Sequence, residues 1–216
     1  DDLGNGNNNN GFVAPYTSGA THTVDLVAPT ITNVSIANSP HKVGDTVAVT
    51  ITVNSDADSY TLEASSIAGR SLSNLTKVNN TTYTAEFVIT DGSADVAAAN
   101  DIAVSVMLSD TATNTSSEYN TVISQPLDAI YANLPEISLA VSSASMAEDD
   151  PAVTMTASLS GSLNNLWPVA INVSLTYSGT ATPIVDYSKT DNITISAGNT
   201  AGTGSLQAVV DTLYDA

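Results

Sequence analysis

The chain has 216 residues, enough for one large domain or two of about 100 residues each, and 42% of them are hydrophobic, which excludes wholesale disorder. Four Lys and Arg stand against 22 Asp and Glu, a formal net charge of −18. So acidic a surface argues against nucleic acid and anionic membrane as partners. There is no cysteine, so disulfides and thiolate metal sites are excluded.

The first residues, "DDLGNGNNNN", form a polar stretch of low complexity, and "THTVDL" (21–26) has the pattern of a strand. Residues 1–26 therefore read as the tail of a preceding segment or as an exchangeable strand. "DLVAPTIT" (25–32) sets a proline before a strand, as at the start of a β-domain. "TVAVTITV" (46–53), "YTAEFVI" (83–89) and "IAVSVML" (102–108) then alternate apolar with small polar residues, the period of half-buried strands. "ADVAAAN" (94–100) is the best helical candidate, at about one turn.

"SQPLDAIYANLPEI" (124–137) interrupts the alternation with two prolines. The expected division is a sandwich over 27–126, a linker over 127–134, and a second sandwich from 135 to 216. In that second half, "VTMTASL" (153–159), "VAINVSLTY" (169–177), "NITIS" (192–196) and "SLQAVV" (205–210) are strand-like. The fold class expected is all-β, two tandem β-sandwich domains of the immunoglobulin-like kind.

Little here suggests an enzyme. His22 and His41 lack a neighbouring nucleophile and acid, and there is no Gly-rich phosphate loop and no His-x-x-x-His pair. The acidic loops are better candidates. "SDADS" (55–59) spaces Asp56 and Asp58 like the start of a calcium loop, but lacks the Gly and distant Glu of an EF-hand, so a solvated hairpin tip is the alternative. Asp91 in "DGSAD" is explained by a tight turn. Asp110 directly follows a strand, with Asn114 nearby, and can bind calcium or simply shape its loop.

In "AEDDP", Glu148, Asp149 and Asp150 repel one another unless a cation sits among them, and few basic residues are available. Asp186 follows one strand of the second half, and Asp211 and Asp215 follow another. If strands alternate up and down, these loops meet at one pole, where Ca2+ with its 6–8 oxygen ligands would fit. Asp128, with Asn133 and Glu136, can supply a further cation site between the domains, or lie exposed in a linker.

The steps "MAED", "YSGTATPIVDYS", "ITISAGNT" and "VVDTLYD" resemble the Calx-beta domains, over residues 135–216. That resemblance implies a β-sandwich with a calcium pole formed by Glu148, Asp186 and Asp211, with Asp215 beside them. The family's paired aspartates and later glutamate are here a single Asp211 and then Asp215. Measured against the family, the last two strands are missing, so the chain reads as cut from a longer protein or completed by strand exchange with a neighbour.

"APTITNVSI", "KVGDTVAVTITV", "LTKVNNTTYTAEFVIT" and "DIAVSVMLSDTATNTS" resemble the immunoglobulin-like repeats of giant bacterial adhesins of the RTX type. Together the two resemblances imply a calcium-stabilised extender segment of a secreted bacterial surface adhesin or extracellular filament. Its partners would be neighbouring domains of the same long chain or other copies in a filament. The alternative is a module binding carbohydrate or a host surface, in which Trp167, the only tryptophan, is either an exposed platform for a surface glycan or a buried anchor.

Overall fold

Strands alone make up the regular structure of the computed structural model, which describes residues 25–160 and 167–210. The first half holds β1 (Ile31–Ile36), β2 (His41–Lys42), β3 (Thr46–Val53), β4 (Thr61–Leu62), β5 (Ser66–Ile67), β6 (Arg70–Ser71), β7 (Ser73–Asn79), β8 (Thr82–Val88), β9 (Val104–Ser105), β10 (Leu108–Ser109) and β11 (Ile130–Tyr131). The second half holds β12 (Glu136–Val141), β13 (Val153–Ser160), β14 (Ile171–Ser174), β15 (Tyr187–Lys189), β16 (Asn192–Ile195) and β17 (Ala201–Ala208).

The sheet β1-β3-β8-β7 is the backbone of the first sandwich. Its register is set by the Thr/Val alternation. Val47, Val49, Ile51 and Val53 point inward beside Phe87, Ala85 and Tyr83 across the β3–β8 ladder, while the intervening Thr and Ala residues face outward. The facing layer is fragmented into β6-β5-β9, β10-β4 and the parallel pair β11-β2. The alternating stretch 102–108 is accordingly not one strand: bridges at Ile102 and Val106 flank β9, and β10 begins at Leu108. It still delivers Ile102, Val104, Val106 and Leu108 to the same core. Residues 94–100 form no helix; Val96 bridges to Ile130 instead.

Residues 127–134 are not a free linker. The β11 strand pairs with β2, and Asp128, Ala129, Ile130 and Ala132 are all buried. The segment therefore closes the first sandwich, because Ile130 is an apolar knob of its core. Tyr131 then meets Trp167 edge to face, with ring centroids 6.0 Å apart, and Val43 touches the cores of both halves. Trp167 is thus a buried anchor at the junction, 7% exposed.

The second sandwich stacks the sheet β12-β13-β17-β15 against the pair β14-β16, over a smaller core of Met155, Ala157, Leu159, Trp167, Ile193 and Ile195. The β17 strand begins at Ala201, four residues before the alternation suggests. Gly202 and Gly204 account for this: a Cβ on either would press against Thr194, Ile193 or Thr190, so only glycine lets β17 pass this close. The inward residues of β12, namely Ile137, Leu139 and Val141, remain about half exposed.

Candidate metal centre

Three loops meet at one end of the first sandwich. Asp25 precedes β1, Asp58 lies between β3 and β4, and Asp110 follows β10. Their carboxylate oxygens lie within 4.8 Å of one another. The β10-β4 pairing brings this about, since Leu108 opposite Leu62 places the chain leaving β10 beside the loop entering β4.

Asp110 is 6% exposed and shapes its own loop. Its Oδ1 accepts the amides of Ala112 (2.9 Å) and Asn114 (2.8 Å), and its Oδ2 accepts the Asn114 side-chain amide (2.9 Å). Burial pushes its acidity the other way, but these donors outweigh it and hold the carboxyl below its ordinary range. Asn114 Nδ2 also reaches the carbonyl of Asp25 at 3.2 Å, tying the first loop to the third.

The Asp58 loop is braced from behind. Lys77 Nζ donates to the carbonyls of Ala57 (2.8 Å) and Asp58 (2.5 Å), and the Tyr83 hydroxyl donates to the same Asp58 carbonyl at 2.9 Å. Asp56 caps the turn by accepting the Asp58 amide, which holds the Asp56 carboxyl low, with help from Tyr60. The side chain of Asp58 is left facing other acids. A hydrogen bond with Asp25, then burial, then the charges of Asp56, Asp25 and Asp110 push its carboxyl up. Oxygen-only donors from several loops suit a hard cation such as calcium, with no thiolate or imidazole to favour zinc or copper.

The expected pole of the second sandwich is only partly described. Glu148 and Asp186 line one groove of about 640 Å³ whose floor is Leu139, Met155 and Leu206. Asp211 and Asp215 lie outside the described residues, as do His22 and residues 1–24 of the expected leading segment. Asp186 closes its own turn, accepting the Thr182 amide at 2.5 Å. Asp150 does the same with the Ala147 amide at 2.8 Å, and Asp149 is exposed.

In the 127–134 segment, Asn133 binds Ser93 and Asp95 rather than reaching toward Asp128, Glu136 is exposed, and Asp128 is fully buried. Of the residues expected to hold metal, only Asp110 enters the three-carboxylate cluster found among the described residues. Asp58 was legible as a loop acid. Asp25, in the segment read as a tail, carried no signal beyond its place just before Pro29.

The fold and this pole define an immunoglobulin-like β-sandwich with an acidic loop end, followed by a second sandwich. Residues 25–125 match the family model of a bacterial Ig-like domain, so the match begins at the first acid of the cluster and spans β1 to β10. No curated protein matches the chain.

Proposed function

We propose that the chain is a calcium-stiffened structural segment of a bacterial surface adhesin or extracellular filament. It is a spacer, not an enzyme. Bacterial Ig-like domains are commonly carried on extracellular or surface proteins, which supports that location. The observation that carries the calcium reading is the convergence of Asp25, Asp58 and Asp110 from three loops within 4.8 Å. A cation there would relieve their repulsion and staple the start of the domain to its far loops. The Calx-beta-like half would add a second site from Glu148, Asp186 and Asp211. A scaffolding role also suits His41, whose ring faces the Ala37 carbonyl at 3.3 Å. The glycan-binding alternative is less favoured, because burial of Trp167 removes the aromatic platform it needs.

The test is a thermal melt of the full chain stripped with chelator and then titrated with calcium. At free calcium 100-fold above the dissociation constant, mass action adds about 2.7 kcal/mol per site. Asp58→Asn should raise the melting temperature of the stripped protein and shrink its calcium response. A wild-type melt that is identical with and without calcium refutes the proposal.

A further inference from the structure

Asp128 has no solvent exposure, and neither of its carboxylate oxygens has a hydrogen-bond partner. Buried polar atoms are rarely left in this state, and a buried unpaired charge is costlier still. The backbone is held on both sides of Asp128. The Leu127 amide donates to Asn38 Oδ1 at 2.9 Å, the Ala129 carbonyl accepts the His41 amide at 2.8 Å, and Ile130 exchanges two backbone bonds with Val96.

None of the four Lys and Arg side chains is the partner of Asp128. Each is engaged elsewhere: Lys42 with Asp45, Arg70 with Ala68, Ser93 and Ala94, Lys77 with Ala57 and Asp58, and Lys189 with Asp191. The chain has no cysteine, and the donor on offer is a carboxylate, so the matching chemistry is that of a hard, oxygen-seeking cation.

We infer that Asp128 anchors a further cation site, for calcium or a cation of the same class, inside the segment that joins the two sandwiches. Its other oxygens would come from chain carbonyls and water. The consequence is mechanical. Asp128 is three residues from Tyr131, whose ring meets Trp167 of the second sandwich, so a cation held here fixes the strand that carries the junction. The inference shares the choice of ion with the proposed function but uses none of the pole's residues, so the two can fail separately.

The experiment uses the full chain, calcium as the only added ligand, and Trp167 as the sole tryptophan reporter. Calcium bound per chain is counted by equilibrium dialysis for wild type, Asp128→Asn and the double variant Asp58→Asn/Glu148→Gln. Asp128→Asn should bind one calcium fewer, lose the calcium-dependent change in Trp167 emission, and melt higher than wild type in chelator. The double variant should keep that emission change. An Asp128→Asn protein that binds as much calcium as wild type overturns the inference, whatever its melting temperature. If Asp128→Asn does not fold, the double variant decides: retention of a calcium-driven Trp167 response supports the site, and its absence overturns it.

Discussion

Gly202→Ala probes the second sandwich, the half of the chain outside the family match. The ideal Cβ at this position falls 2.9 Å from the carbonyl carbon of Thr194, closer still to its oxygen, and 3.0 Å from Ile193 Cγ2. Ordinary contact needs 3.4–4 Å, and the obstacle is backbone, so a rotamer change cannot relieve it. Either β17 or β16 must retreat by roughly 1 Å, and a gap of that size forfeits about a quarter to a half of each dispersion contact across it. Ile193 and Ile195, both essentially fully buried, lie on that seam. Overpacking of this kind costs about 1–3 kcal/mol. For a domain of this size that lowers the melting temperature by roughly 4–8 °C per kcal/mol. Urea and thermal melts followed by Trp167 emission report on this core directly, because Trp167 is part of it. A variant that melts within about 1 °C of wild type would refute the close β16–β17 approach and the register that depends on it.

Two further outcomes follow from the first sandwich. In chelator, Asp58 makes an acid-favouring contribution: its carboxyl is raised when folded, so the stability it adds is complete below the unfolded value near 3.8 and is lost as pH rises through the folded value. The difference in melting temperature, wild type minus Asp58→Asn, should therefore grow on acidification from pH 7 toward 4, and a flat difference refutes the close approach of Asp58 to its acidic neighbours. Asp110 and Asp56 run the other way, with their contribution present above 3.8 and lost below it. Arg70→Met should cost about 1 kcal/mol in urea melts, because it removes the guanidinium's bonds to the Ser93 hydroxyl and the Ala94 carbonyl, each 2.8 Å away, while water can reach both. A neutral substitution would show that the 93–95 loop does not depend on this fork.

The strands most legible in the sequence were those with one face in a core and one in water. The β3, β8, β13 and β16 segments alternate cleanly because both faces have a single environment along their length. The 127–134 segment misled because Pro126 and Pro135 suggest a linker, whereas Ile130 and Ala132 supply core contacts that no local pattern marks. The start of β17 was hidden by Ala-Gly-Thr-Gly, which has turn composition but is needed for close sheet packing. At the candidate metal centre, Asp110 and Asp58 were visible as loop acids. Their meeting with Asp25 depends on pairing between residues nearly fifty positions apart, which spacing along the chain does not encode.

A chain with a net charge of −18 and only four basic residues must place its carboxylates some other way, and the hydrogen bonds show how. Asp45 accepts the Lys42 amide, Asp56 that of Asp58, Asp91 that of Leu134, Asp95 that of Ala132, Asp150 that of Ala147, and Asp186 that of Thr182. For these acids backbone N–H groups take the place of lysine and arginine as partners, and each pairing closes a turn or ties a loop. This separates turn-formers from ligand candidates more sharply than acid density does. The run Glu148–Asp149–Asp150 is dense, yet Asp150 is already committed to its turn. Asp58 makes no such backbone bond and faces Asp25 and Asp110, while Asp128 has no partner at all. A cation gains most where the protein has left carboxylate oxygens uncommitted, which is why the proposed cation sites are anchored on Asp58 and on Asp128.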